Sequence, residues 1–235
     1  MYEALLVDLD DTLIRSSTLY NRATKFVATY LARKYSLDLD PFYEVVQEKH
    51  QIVQRNFPTV HTRHSRILVF RMALDQVVQK YDLSLLPDIE DMYWNFFLDH
   101  ITTYPEVEST LTKLKDHNIK IGVVSDGSLN LRIRKIKKAG LLHLIDEVIA
   151  SEEVIFEKPF SAIFTLALSR LGIEASEAIM VGNNFKNDIR GAQLIGIRTG
   201  LYDPPVDGNV EGQDGTIKAD FVISAWSELL PEFGI

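Results

Sequence analysis

Three short apolar runs, each stopping on polar residues, restrict the folds open to this chain. Leu5-Leu6-Val7 stops on Asp8-Leu9-Asp10-Asp11-Thr12, Ile119 to Val124 stops on Ser125-Asp126-Gly127, and Ala178 to Val181 stops on Gly182-Asn183-Asn184. Runs of this length and composition read as buried strands. Helical stretches separate them: Val107 to Lys115, a helix from near Ser128 to Ala139 closed by Gly140, one opened by Pro159 through Ile163, Phe164 and Leu168 to Gly172, and one from about Asp188. Glu147 to Ala150, Arg198 to Tyr202 and Phe221 to Ile223 read as further strands. Alternation of this kind predicts an α/β fold, a parallel sheet with helices on both faces. Ligands bind beyond the carboxyl ends of such strands, so the three polar ends should meet at one edge. The run from Asp203 to Asp220, rich in proline, glycine and aspartate, reads as a mobile surface loop.

From Ser16 to about Tyr104 the texture changes to helical. Leu19, Ala23, Phe26, Val27, Tyr30 and Leu31 recur at helical spacing. A second helix is predicted from Pro41, as its first residue, through Val45, Val46 and Val53. A third spans about Arg63 to Tyr81, with Ile67, Phe70, Leu74, Val77 and Val78 on one face. A fourth follows Pro87 and carries Met92, Tyr93, Phe96 and Phe97. The expected organisation is a core of residues 1–15 and 105–235 with a helical bundle, 16–104, inserted directly after the acidic strand end. A length of 235 residues accommodates both, and 46% apolar residues suffice for a real core. The net charge of −8 argues against non-specific nucleic-acid binding. The chain has no cysteine, which suits a reducing compartment. It shows neither a signal-like start nor the roughly 18 consecutive apolar residues of a membrane span, so a cytoplasmic protein with no membrane partner is expected.

The acidic strand end asks for a chemical reason, because three carboxylates within four positions repel one another. A carboxylate such as Asp8 can attack phosphorus and form an aspartyl-phosphate, splitting one hard step into two. Asp10 is placed to protonate a leaving oxygen and then to activate water. Ser125 offers a hydroxyl to phosphate oxygens, beside backbone N–H groups and a helix whose positive end points to the same place. Lys158, extended before Pro159, would neutralise nucleophile and phosphoryl group together. Asn183, Asn187 and Asp188 supply oxygens for a hard cation such as Mg²⁺.

Together these residues resemble the haloacid dehalogenase-like hydrolase superfamily, through four motifs in order over the whole chain. Asp8-Leu9-Asp10-Asp11-Thr12 is similar to the first motif, Val124-Ser125-Asp126-Gly127 to the second, Lys158-Pro159 to the third, and Val181 to Asp188 to the fourth. The resemblance implies a Rossmann-like three-layer core, a helical cap between the first two motifs, and a Mg²⁺-dependent phosphohydrolase. It implies a metal held by the Asp8 carboxylate, the Asp10 backbone carbonyl and the fourth motif, here Asn183 and Asp188. Phosphate would dock on Leu9, Asp10, Ser125, Asp126 and Lys158. Asn183 stands where the family usually has aspartate; its amide oxygen binds Mg²⁺ as a neutral ligand, with Asp188 carrying more of the charge balance. Relatives that cleave carbon–halogen bonds lack the second acid, so Asp10 argues for phosphoryl transfer.

The expected activity is therefore hydrolysis of a small phosphorylated metabolite by a monomer or homodimer. A phosphomutase on the same scaffold, or a weakly active or non-catalytic phosphate-binding relative, is the alternative. Hinges are expected near Ile14 to Ser17 and Thr102 to Pro105. Asn56 to Arg66, polar and basic, reads as a solvated loop and helix start in preference to a substrate contact. The basic run Arg132 to Lys138 reads as the solvent side of a helix whose Ile133 and Ile136 face inward. Trp94 and Trp226 read as packing residues.

Overall fold

A computed structural model describes residues 2–205 and 218–235, so residues 206–217 of the expected 203–220 loop lie outside the described residues. The chain divides into two compact units, one of residues 1–17 with 101–235 and the other of residues 18–100.

The first unit is built on a six-stranded sheet: β1 (Ala4–Val7), β2 (Lys120–Ser125), β3 (Glu147–Ala150), β4 (Ala178–Gly182), β5 (Arg198–Tyr202) and β6 (Phe221–Ile223). All neighbours pair in parallel, in the order β3-β2-β1-β4-β5-β6. β1 is central and fully buried on both faces, as its uninterrupted apolar run requires. Leu5 and Val7 enter a cluster with Val107, Leu111, Ile136, Trp226 and Phe233. Ala4 and Leu6 enter another with Ile163, Phe164, Ala167 and Met180. Each buried leucine or valine contributes about 1.5–3 kcal/mol, and the two clusters make the outer layers of a three-layer α/β core. The strand order reverses between β1 and β4, with β2 and β3 laid to one side and β4 to β6 to the other, the topological switch point at which open sheets bind ligands.

In the second unit four helices carry the buried stripes: α1 (Ser17–Tyr35), α2 (Leu39–Asn56), α3 (Arg66–Val77) and α4 (Leu85–Asp99). Two start earlier than the sequence suggested. Pro41 is the third residue of α2, and Pro87 the third of α4; both sit in the first turn, where a missing N–H costs nothing. The third helix is shorter than expected. His61–His64 is a separate 3₁₀ turn, Ser65 caps α3 by accepting from the Leu68 N–H at 3.3 Å, and Val78 is already extended. Trp94 and Tyr93 pack edge to face at 4.8 Å, so Trp94 is a core residue here, as Trp226 is in the first unit. Arg66 departs from the solvated reading: it is buried, with its guanidinium over the Tyr20 and Tyr93 rings and Nη1 bonded to His50 Nε2 at 2.8 Å.

The remaining helices belong to the first unit: α5 (Val107–Asp116), α6 (Leu129–Lys138) and α7 (Ser161–Leu171). Ser128 precedes the start of α6 and Gly172 ends α7 where expected. The segment expected to begin a helix at Asp188 is a π-helical turn from Phe185–Arg190, continued by Gly191–Gln193. A 3₁₀ helix from Trp226–Phe233 follows β6 and was not foreseen; its buried Trp226, Leu229 and Phe233 cover one face of the sheet.

Candidate active site

Asp8 follows β1 directly, and its N–H extends the ladder to Val181 O of β4 at 3.0 Å. Beyond it the chain turns tightly, with the Leu13 and Ile14 N–H groups both donating to Leu9 O. This turn sends the three neighbouring carboxylates to three different partners, which offsets much of the mutual repulsion that the sequence posed.

Asp8 takes the first partner. Lys158 Nζ donates to Asp8 Oδ1 at 2.6 Å, to Asp188 Oδ1 at 2.7 Å and to Val124 O at 3.0 Å, all buried. Three acceptors match the three donors of an ammonium. Burial works against the charged Lys158, but Asp188, Asp8 and Asp126 outweigh it and hold the ammonium above the ordinary lysine range. Burial pushes the Asp8 carboxyl up to about 7 despite Lys158, with Asp188 and Asp10 adding to the rise.

Asp11 adopts the left-handed conformation, φ 59°, which aspartate tolerates better than most residues. Its Oδ1 accepts from the Ser16 and Ser17 N–H groups at 2.8 and 3.0 Å, and Oδ2 accepts from the Ser17 hydroxyl. It caps the start of α1.

Asp10 goes to α6. Lys135 Nζ donates to both its oxygens, at 2.7 and 2.8 Å, and Arg132 Nη1 donates to Oδ2 at 2.5 Å. This corrects the reading of the basic run as a solvent-facing stripe: Arg132 is 2% exposed and Lys135 0%, while Ile133, expected inside, is 38% exposed. Ile136 does face the core. The i, i+3 spacing of Arg132 and Lys135 puts them on one helix face and was the available signal; the net basicity of the helix concealed it.

The second and third motifs are tied together. Asp126 Oδ1 accepts the Lys158 backbone N–H at 2.9 Å, and burial pushes the Asp126 carboxyl up to about 6. Asp126 thus positions Lys158 by its backbone. Ser125, buried, closes β2 opposite Ala150.

The fourth motif is held by a loop that folds back on itself. Asn184 Oδ1 accepts from the Asn187 N–H at 2.8 Å, and Asp188 Oδ2 accepts from the Asn184 N–H at 3.0 Å. A Cβ on Gly182 would lie 2.3 Å from Asp188 Oδ2, so only glycine lets this carboxylate close over the strand end. Both Asp188 oxygens are thereby engaged, one by Lys158. Asn183 Oδ1 instead lies 3.4 Å from Thr12 Oγ1, as does Asp8 Oδ2. Thr12 is fully buried and was not singled out from the sequence as a site residue, although it stands inside the first motif.

Asp8, Asp188 and Asp126 crowd the one ammonium of Lys158, and an ionised Asp8 calls for more positive charge than that ammonium provides. Asp8 Oδ2 and Asn183 Oδ1, both 3.4 Å from Thr12 Oγ1, are oxygens of the type that Mg²⁺ takes, usually through one or two carboxylates with several waters retained. The residues fit such a cation.

The chain matches the haloacid dehalogenase-like hydrolase family over residues 2–196. It is 33% identical to a ribulose-1,5-bisphosphate 5-phosphatase of Halopiger xanaduensis, covering 94% of this chain and 90% of that protein. It is 31% identical to a glyceraldehyde 3-phosphate phosphatase of Methanopyrus kandleri, covering 98% and 96%. Among solved structures, a phosphatase of the same family from Thermococcus onnurineus superposes with a TM-score of 0.76 at 26% identity, covering 100% of this chain and 98% of that one. With the parallel sheet and the four motifs at its edge, these likenesses establish that the chain belongs to the haloacid dehalogenase-like hydrolases.

Proposed function

We propose that the protein is a Mg²⁺-dependent phosphomonoesterase of a small phosphorylated metabolite, working through an aspartyl-phosphate on Asp8. The observation that carries this reading is the Lys158 ammonium bridging Asp8 and Asp188 at 2.6 and 2.7 Å at the strand edge. It leaves Asp8 with one oxygen on a fixed cation and the other beside the Thr12 hydroxyl that Asn183 Oδ1 also meets.

In this reading Asp8 Oδ2, Asn183 Oδ1 and the Asp10 backbone carbonyl would hold Mg²⁺, and Asp188 orients Lys158 and balances charge. The cation would supply Lewis-acid stabilisation of charge on the phosphoryl oxygens. Ser125, Lys158 and the N–H groups of Leu9 and Asp10 dock the phosphate. Asp8 Oδ1 attacks phosphorus in line, the bond to the ester oxygen breaks, and Asp10 delivers a proton to the departing alkoxide. Asp10, now a carboxylate, takes a proton from water as that water attacks phosphorus, which frees phosphate and regenerates Asp8. Lys158 meets the charge that builds on the transferring group. Residues 18–100 serve as the cap that selects the leaving group. The named activities of the relatives direct the first substrate panel to triose and pentulose phosphates.

The test is phosphate release from p-nitrophenyl phosphate and that panel, with and without Mg²⁺, for wild type and Asp8→Asn. Turnover requiring both the metal and Asp8, with the circular dichroism of the variant unchanged, is expected. Turnover by folded Asp8→Asn would refute the mechanism, and silence of wild type across the panel would leave a phosphate-binding relative.

A further inference from the structure

Arg66 has no part in the mechanism, and its setting works against stability in three ways. It is buried, with 6% of its surface exposed. It opens α3, where the helix end is itself positive. It also stands among like charges, since Arg63 and His64 act with it on His50. Arg63 is held in place by Pro58 O, which accepts from its Nη1 at 3.0 Å. Among the described residues no carboxylate pairs with Arg66, and Glu48, two residues before His50 on α2, bonds Lys49 at 3.0 Å.

What holds Arg66 is neutral. Its guanidinium carbon lies 5.4 and 5.3 Å from the Tyr20 and Tyr93 ring centroids, and Nη1 donates to His50 Nε2 at 2.8 Å. Burial and the three cations keep His50 down at about 4, so it accepts that bond as a neutral imidazole. The rings answer the face of the guanidinium. They do nothing for its edge, because the N–H groups point outward in the guanidinium plane. Nε is buried and finds no acceptor among the described residues, a rare condition for a buried donor. With Nη1 tied to His50, Nε and Nη2 form the edge that meets two oxygens of one oxyanion in parallel bonds.

We propose that Arg66 is the centre of an oxyanion-binding site on residues 18–100 that takes a phosphate group, with Arg63 and His64 adding to the field that draws it. A phosphate suits the place better than a carboxylate, because a dianion answers more than one of the three cations. The group is either the second phosphate of a doubly phosphorylated substrate or inorganic phosphate. The recognition chemistry is the same for both. The site stands on the geometry around Arg66, and only its use by a substrate rests on the phosphomonoesterase reading.

The experiment titrates inorganic phosphate into the full chain in EDTA, with ionic strength held constant by NaCl, and follows the Arg66 Nε–Hε resonance by NMR. The resonance is assigned by its loss in Arg66→Gln or, if that variant does not fold, in Arg66→Lys, which keeps a charge over the rings. A saturable shift with a Kd of about 1 mM is expected, the scale of two charge-assisted hydrogen bonds. Ser125→Ala, which weakens docking at the strand edge, should leave that Kd unchanged. The source of the phosphate follows from kcat/KM on 1,3-propanediol bisphosphate and on the matching monophosphate, for wild type and the Arg66 variant. A preference for the bisphosphate of about tenfold or more in wild type, falling to about twofold in the variant, assigns the group to the substrate. A preference of about twofold in both, the statistical value for two equivalent ends, with the resonance still shifting, assigns it to inorganic phosphate.

No saturable shift by about 50 mM phosphate would overturn the proposal. So would a Kd that weakens in Ser125→Ala, which would place the phosphate at the strand edge. A wild type silent on both esters would overturn the phosphomonoesterase reading instead, and the titration would still decide the site.

Discussion

Replacing Lys158 with methionine isolates the electrostatics of the strand edge. Methionine is close in length, so the perturbation removes a charge and three hydrogen bonds without opening a large cavity. Two buried carboxylates, Asp8 and Asp188, lose the ammonium that now lies 2.6 and 2.7 Å away, and Val124 O loses a donor at 3.0 Å. Removing one partner of a buried ion pair costs about 3–5 kcal/mol, because the other charge is left uncompensated. The carboxylates have a way out, since they can take up protons. Asp8 already stands at about 7 beside Lys158, and the loss of the cation raises it further. An acid whose folded pKa lies above its unfolded value stabilises the folded state as pH falls through the folded value. The deficit of Lys158→Met should therefore be largest near pH 8.5 and shrink to about 1–2 kcal/mol by pH 5.5, as protonation replaces the missing charge. Urea unfolding in EDTA at both pH values measures it, with Lys158→Met/Asp188→Asn as a control that strands one carboxylate fewer. A deficit under about 1 kcal/mol at pH 8.5, or one independent of pH, would refute the reasoning.

Two further outcomes separate structural from functional charges. Asp11→Ala should cost about 1–2 kcal/mol of stability through the lost cap of α1, while kcat on p-nitrophenyl phosphate stays within about twofold, since the Asp11 carboxylate bonds to Ser16 and Ser17 at the start of α1; an inactive, folded Asp11→Ala would return that carboxylate to the chemistry. His50 is held down to about 4 by burial and by the charges of Arg66, His64 and Arg63. Its contribution to stability is complete above pH 6.5, the ordinary histidine value, and is lost as pH falls through 4, because the unfolded chain takes up the proton first. Allowing for solvent around a partly exposed ring, wild type should lose about 1–2 kcal/mol more than His50→Gln between pH 7.5 and 4.5 in urea unfolding; parallel losses would refute it.

The strands and helices of the core were legible because hydrophobic periodicity is a property of neighbouring residues. Gly140 and Gly172 marked chain reversals for the same local reason. Helix boundaries in residues 18–100 were less legible. Pro41 and Pro87 are as content in the third position of a helix as in the first, and Ser65 capped a helix that the basic texture of Arg63 to Arg66 had seemed to begin earlier. The π-helical turn at Phe185–Arg190 follows from the Asn184–Asp188 hydrogen bonds, which no propensity encodes.

By itself the sequence determined the α/β alternation, the strand ends at which chemistry can sit, and the short list Asp8, Asp10, Ser125, Lys158, Asn183 and Asp188, because each is read from its immediate neighbours. Tertiary structure alone decided how the charges were shared. It separated Asp8, Asp10 and Asp11 onto Lys158, α6 and the start of α1, and it turned Arg132 and Lys135 inward against an aspartate 122 and 125 positions away. The physical reason is that an apolar residue is buried by a preference it carries with it, whereas a charged residue is buried only if an opposite charge awaits it. That partner is supplied by the fold.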